Sequence, residues 1–386
     1  MSTTDQQVPA LNSLSPLQPP RRYLFGPGPS MVHPRVYEAL AKPIVGHLDP
    51  YFIHVMEDVQ QLLKSVYGTN DGATLVISGT GSAGMEAAVA NFVDPGAKLA
   101  VFANGYFSDR LTEMAKRQGA NVARCEKGWG EIFTDDEAKE FLRREKPNVV
   151  AYVQAETSTG ALQSGRAICA AAHDAGALVI ADCVTSLGGV PVEFDRTGID
   201  VAYSCTQKGL SCPPGLSPMA MSRKAMDFLR ARTTPSRSWY LDLQLIHDYS
   251  TVSHRYHHTA PISMFYALRE ALTVIAEEGI ENRWERHRHC NRIFVKGIET
   301  MGLRMHVLEA NRIATLNTVC VPAGVDEAKV RKGLLDGPGI EIAAGFGPLA
   351  GKVFRIGVMG PLASEESVEF FLKEFRKVLA AQGSSI

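Results

Sequence analysis

Two residues of opposite chemistry close the stretch Leu178 to Lys208, LVIADCVTSLGGVPVEFDRTGIDVAYSCTQK. Asp182 ends one apolar run, Leu178 to Ala181. Lys208 follows a second, Val201 to Tyr203, after Ser204, Cys205, Thr206 and Gln207. Short apolar runs closed by polar residues have the pattern of strands buried on both faces of a parallel sheet. Ligands of such sheets bind beyond the carboxyl ends of the strands. A carboxylate and an amine delivered to one edge suit a cofactor that needs both. Pyridoxal phosphate is of that kind: a lysine holds its aldehyde as a Schiff base, and an acid partners its ring nitrogen.

The neighbouring stretches supply further candidates. A strand at Thr74 to Ile77 runs through Ser78-Gly79-Thr80-Gly81-Ser82 into the helical AGMEAAVANF. Strand, glycine-rich turn and helix aim backbone N–H groups and the helix dipole at a phosphate. The turn is neither GxGxxG nor a Walker A loop, since no lysine follows its second glycine. The strand Lys98 to Phe102 leads to Tyr106 and Phe107, aromatics that could stack on a flat ring or pack. A helix is expected to follow from Asp109 to Gln118. The strand Val149 to Gln154 opens into AETSTG, a polar ledge of one glutamate and three hydroxyls. Arg21 to Ser30, RRYLFGPGPS, is a rigid loop in which glycine permits close approach of backbone to a ligand.

Two histidine-bearing segments invite a metal, and neither fits one. Adjacent histidines, as in RYHHT at 255–259, seldom converge on one ion, and no Cys or Glu completes the set. His287 and His289 lie about 200° apart on a helix, so they cannot share an ion, and that segment reads as a solvated face.

Composition narrows the class. The 386 residues are 45% hydrophobic and 21% charged with a net charge of −1, values of a globular protein with no general pull towards nucleic acid or membrane. No apolar run approaches the roughly 20 residues that span a bilayer. Seven scattered cysteines without a CxxC pair suit a reduced, cytoplasmic protein. The first residues, rich in Ser, Pro and Gln, resemble neither a secretory signal nor a transit peptide. The alternation of strands and helices predicts an α/β layered domain with a mostly parallel mixed sheet. After the helix near Ile280 the pattern becomes βαββα, that of a smaller C-terminal α+β domain. The expected boundaries are an N-terminal arm at 1–21, a large domain at 22–278 and a small domain at 279–386.

Taken together and in order, the motifs resemble the class V aminotransferases of the pyridoxal-phosphate type I fold, with the nearest likeness to alanine–glyoxylate and serine–pyruvate aminotransferases. GPGPS at 26–30, SGTGSAGMEAA at 78–88, AETSTG at 155–160, ADCVTSLGG at 181–189, SCTQK at 204–208, PPG at 213–215, YHHT at 256–259 and FRIG at 354–357 carry the resemblance, over about residues 21 to 380. It implies that Lys208 holds the cofactor aldehyde and that Asp182 faces the pyridine nitrogen. Val184 and Phe107 would cover the two ring faces, Phe107 standing where several relatives have Trp. Thr80, Gly81 and Ser82 would hold the phosphate with Gln207 beside it; relatives often have His where Ser82 stands. Thr157 would approach the ring oxygen or the substrate. Tyr256 and Thr259 would reach the phosphate of a neighbouring subunit, making the enzyme a homodimer with shared sites. Arg355 would clamp the substrate carboxylate, with Gly26 offering backbone nearby. The expected activity is exchange of an amino group between alanine or serine and glyoxylate or pyruvate. Serine–glyoxylate and 2-aminoethylphosphonate–pyruvate transamination are the alternatives. A catalytically inactive binding protein of this fold is the reading from a different class.

Overall fold

The computed structural model describes residues 15–251 and 253–383. Most of the expected arm, residues 1–14, and the last three residues lie outside the described residues. The central sheet has seven strands: β1 (Ala73–Ser78), β2 (Lys98–Ala103), β3 (Asn121–Glu126), β4 (Val149–Val153), β5 (Leu178–Asp182), β6 (Val201–Tyr203) and β7 (Leu216–Met221). Their order is β1-β7-β6-β5-β4-β2-β3. β7 runs antiparallel to both of its neighbours, and every other pairing is parallel. Every residue of β4, β5, β6 and β7 is buried. Layers on both faces therefore explain why these strands read as continuous apolar runs.

One face carries the helix Pro50–Tyr67, which turns Phe52, Val55, Met56, Val59, Leu63 and Val66 inward. Asp49 caps it by accepting the Tyr51 N–H at 2.8 Å, and Gly68 closes it in the left-handed conformation. The other face carries the helix Gly81–Phe92, whose small residues let it lie close on the sheet.

A second layer follows the helix Ile280–Thr300. β8 (Leu316–Cys320), β9 (Ala343–Ala344) and β10 (Val353–Gly357) form an antiparallel sheet in the order β8-β10-β9. Its core gathers Phe294, Phe354, Phe371 and Phe375, and also Phe25 from the beginning of the chain. Phe25 lies 4.9 Å from the Phe371 ring, and Tyr23–Leu24 pairs in parallel with Ile340–Glu341. The 26–30 loop is thereby strung between the two layers, over the carboxyl ends of the central strands.

Two local expectations change. The helix expected from Asp109 starts at Tyr106. Its early amides find partners outside the helix: the Tyr106 N–H donates to Ser158 Oγ at 3.1 Å and the Phe107 N–H to the Glu156 carboxylate at 3.2 Å. The His287 segment is only partly a solvated face. His289 is exposed and pairs with Glu365 at 2.7 Å, whereas His287 and Arg283 are buried. Arg283 donates to the carbonyls of Gly188 (2.9 Å) and Gly209 (2.8 Å), joining the long helix to the loops on either side of the site.

Candidate active site

The carboxyl ends of β4, β5 and β6 converge on one buried polar group. Asp182 ends β5 in register with Tyr203 of β6. The Tyr203 hydroxyl donates to Asp182 Oδ2 at 3.0 Å, and the Val184 N–H donates to Oδ1 at 2.9 Å. Burial pushes the Asp182 carboxyl up, while these hydrogen bonds and the positive charges of Lys208 and Arg110 pull it back.

Lys208 is 7% exposed. Its Nζ donates to Thr157 Oγ1 at 2.7 Å and to Thr185 Oγ1 at 2.9 Å, and those hydroxyls also bond to each other. Burial lowers the affinity of this amine for its proton. Two neutral hydroxyls, rather than a carboxylate, meet it at hydrogen-bond distance, which favours a free amine more readily than in water. The Phe107 ring centroid is 5.5 Å from Nζ.

The 26–30 loop lies directly on this lysine. Ser30 donates from its N–H to the Gln207 carbonyl at 2.9 Å and from its hydroxyl to the Lys208 carbonyl at 2.8 Å. Gly28 has φ +123°, and a Cβ there would stand 3.1 Å from Lys208 Cγ. Glycine is required both by that backbone conformation and by the closeness of the lysine stem.

Arg355 comes from β10 in the second layer and reaches the same place. Its Nε donates to the Ala344 carbonyl at 2.7 Å and one terminal nitrogen to the Thr157 carbonyl at 3.3 Å. The guanidinium lies 3.9 Å over the Phe346 ring. Burial pulls its pKa down to about 10, and the charge of Glu156 opposes that shift. A cavity of about 310 Å³ brings together Gly26, Phe107, Thr157, Lys208 and Arg355, with Glu341 and Phe346 also on its wall.

The remaining expected residues are not among those that line this cavity. Thr80 is exposed at the start of the helix Gly81–Phe92 and makes no capping hydrogen bond with its side chain. A Cβ on Gly81 would meet Val184 at 3.2 Å, so the turn sits against the residue that follows Asp182 and Cys183. Ser82 Oγ accepts from Arg110 at 2.9 Å. Gln207 Oε1 is buried without a hydrogen-bond partner. Tyr256 and Thr259 are exposed and do not line the cavity. Their segment is tied to the chain through His258 Nε2, 2.6 Å from Ser78 Oγ just ahead of the turn.

Three contributors escaped the sequence reading, Thr185, Tyr203 and Ser30, and Glu156 was read only as part of a polar ledge. Tyr203 had the one usable signal, a polar tip at the end of an apolar strand beside that of Asp182. The comparisons with known proteins now bear on this geometry. Residues 22–358 match the family model described as Aminotransferase class-V. The chain belongs to the class V aminotransferases.

A protein named (S)-ureidoglycine–glyoxylate transaminase from Bacillus subtilis (strain 168) is 37% identical over 95% of this chain and 92% of its own length. One named alanine–glyoxylate aminotransferase from Felis catus is 37% identical over 95% and 89%. A crystal structure described as an alanine–glyoxylate aminotransferase from Nostoc sp. superposes with a TM-score of 0.94 at 45% identity, covering 98% of this chain and all of that one. This aminotransferase is a pyridoxal-phosphate-dependent enzyme of fold type I. Its residues fit the cofactor. A buried amine with a weakened hold on its proton faces a flat ring, a hydrogen-bonded carboxylate closes the neighbouring strand, and an uncapped helix N-terminus stands beside them.

Proposed function

We propose that this aminotransferase moves the amino group of a small, neutral amino acid, alanine or serine, to glyoxylate or pyruvate, with alanine–glyoxylate exchange as its main reaction. The observation that carries this reading is the charge of the cavity wall. Arg355 offers one fork for one carboxylate. The carboxylate residue on that wall, Glu341, would repel a second acid on the substrate side chain. Relatives named alanine–glyoxylate aminotransferase support the choice of partners.

Bound pyridoxal phosphate supplies an aldehyde for the amino group and a protonated ring that draws off electrons as the α C–H bond breaks. The residues of the chain divide the remaining work. Lys208 Nζ would hold the aldehyde and, as a free amine, would take up the α-proton of the substrate, a task for an amine neutral at working pH. Thr157 and Thr185 keep it aimed. Asp182, fixed by Tyr203 and Val184, keeps the ring nitrogen protonated. Phe107 and Val184 cover the ring faces. Thr80, Gly81, Ser82 and Gln207 take the phosphate. Arg355 and the Gly26 backbone orient the α-carboxylate so that the C–H bond points at Lys208.

We also infer a homodimer in which Tyr256 and Thr259 complete the phosphate site of the partner subunit. Exposed Tyr256 (56%) and Trp239 (61%) lie in segments that His257 and Trp239 stack together at 4.3 Å, giving the aromatic surface an interface would cover. Seven free thiols support our reading of a reducing compartment, the cytoplasm. Labelling all seven under denaturing, non-reducing conditions checks that placement, and fewer would count against it.

A donor panel tests the main reading. With glyoxylate as acceptor, alanine and serine should turn over, while glutamate, aspartate and 2-aminoethylphosphonate lag well behind. Glu341→Gln should narrow that gap by about fivefold, the size of one partly screened charge contact. A wild-type preference for glutamate or aspartate would sink it. Ureidoglycine belongs in the panel as a second reading, since Glu341 could accept its ureido N–H groups and the Bacillus subtilis relative is named for that donor.

A further inference from the structure

The helix Tyr106–Arg117 carries a cation that none of the roles above uses. Arg110 stands about one turn beyond Tyr106 and Phe107, so the helix places its stem on their face. Its guanidinium carbon lies 4.9 Å from the Phe107 ring centroid and 5.3 Å from that of Tyr106. One terminal nitrogen donates to Ser82 Oγ at 2.9 Å. The acid next to it in the chain, Asp109, is engaged elsewhere, by Arg124 at 2.6 Å. Among the described residues Arg110 forms no ion pair with a carboxylate. A guanidinium has five N–H donors, so most of its capacity is open.

Three features meet at this point. The helix Gly81–Phe92 begins here without a side-chain cap, so its first amides and dipole face outward. Ser82 Oγ, because it accepts from Arg110, has its own proton free to donate elsewhere. The positive charge of Arg110 extends far enough into the site to help hold Asp182 ionised. Cation, uncapped amides and an oriented hydroxyl together suit a dianion.

We propose that Arg110 is a positioning residue for the cofactor phosphate: it aims the Ser82 hydroxyl, braces the Phe107 ring and lends the phosphate end a positive charge. This rests on reading Thr80, Gly81 and Ser82 as the phosphate turn. Arg110 thus links the residue under the phosphate to the one over the ring, and a change at one end is felt at the other.

Equilibrium binding to the cofactor-free enzyme, followed by absorbance, tests this with two probes: pyridoxal phosphate, and pyridoxal, which lacks the phosphate. Arg110→Ala should weaken pyridoxal phosphate about 10- to 100-fold, the range for losing a hydrogen bond to a charged group. Pyridoxal should weaken by a clearly smaller factor, since it loses only the bracing of Phe107. Arg110→Lys should recover part of the loss, since it restores charge without the fork. Equal weakening of both probes would overturn the proposal, because Arg110 would then serve the ring or the fold alone. Thr80→Ala separates the two layers of the argument. If Thr80→Ala discriminates between the probes and Arg110→Ala does not, only the role of Arg110 fails. If neither discriminates, the phosphate turn itself is misplaced and the proposal falls with it.

Discussion

The two ends of the site are built to different standards. At the amine end, Lys208, Asp182, Glu156, Thr157 and Thr185 are buried, and each has hydrogen-bond partners within the chain. At the end we propose for the phosphate, Thr80 is exposed, as are Tyr256 and Thr259, which we assign to the partner's phosphate; the helix Gly81–Phe92 lacks a side-chain cap, and the Gln207 oxygen has no partner. The amine end holds its geometry before any ligand arrives, as the proton transfers assigned to Lys208 require. The proposed phosphate end would gain its order from what binds there. Chemistry should therefore depend on the first end, and retention of the cofactor on the second.

The largest break in that contrast is Lys208→Ala. Turnover should fall below detection, and the absorption band of the lysine-linked cofactor should disappear, while pyridoxal phosphate still associates through its phosphate. Retained turnover with the absorption intact would remove the amine from its assigned role. A smaller effect is expected at the other end. Tyr256→Ala combined with Thr259→Ala should weaken pyridoxal phosphate by about tenfold, the low end of the range for losing a hydrogen bond to a charged group. Mixing that variant with Lys208→Ala after subunit exchange sharpens the test. If sites are shared, one site of each mixed dimer combines an intact lysine with the partner's intact phosphate contacts, and tight cofactor binding with activity returns. No recovery in proven mixed dimers would place Tyr256 and Thr259 in their own subunit's site or in none.

The same contrast explains what the sequence disclosed. Asp182 and Lys208 were legible because each closes an apolar run, and such runs mark buried parallel strands whatever surrounds them. Arg355 was legible through the resemblance that FRIG at 354–357 carries. The Tyr203–Asp182 hydrogen bond was not, because it depends on the register of two strands joined by a long crossover. Glu156 reads locally as one more polar residue of a ledge. Its part in holding the Phe107 amide needs strand β4 beside β2, and it needs Gly105, where a Cβ would come within 2.3 Å of the Glu156 side chain. The early start of the helix at Tyr106 has the same cause: its partners are remote in sequence. His287 was misread for a related reason. Spacing along a helix tells which residues share a face, not which loop later covers that face.

His287 provides the control for the comparison, since it is buried and satisfied like the amine end but touches neither end of the site. Its Nδ1 lies 2.7 Å from the Arg283 carbonyl, and its Nε2 accepts the Gly360 N–H at 3.1 Å. That pair of contacts selects the neutral ring with its proton on Nδ1. A second proton would confront the Gly360 N–H, and burial together with the Arg283 charge pulls the pKa down to about 3. An unfolded histidine titrates near 6.5. The folded state therefore binds the proton less well than the unfolded one, so this contribution to stability is complete above about pH 6.5 and is lost as pH falls towards about 3. By about pH 5 the loss should be about 2 kcal/mol. His287→Gln retains an acceptor for Gly360 and has no proton to gain. Its stability should be lower than wild type near neutral pH, and the difference should shrink by about 2 kcal/mol between about pH 7.5 and pH 5 in denaturant titrations. Parallel curves for the two proteins would refute the neutral, buried ring. Kinetics with alanine near pH 7.5 should stay within about twofold of wild type, because a position that awaits no ligand acts on the fold and leaves the reaction alone.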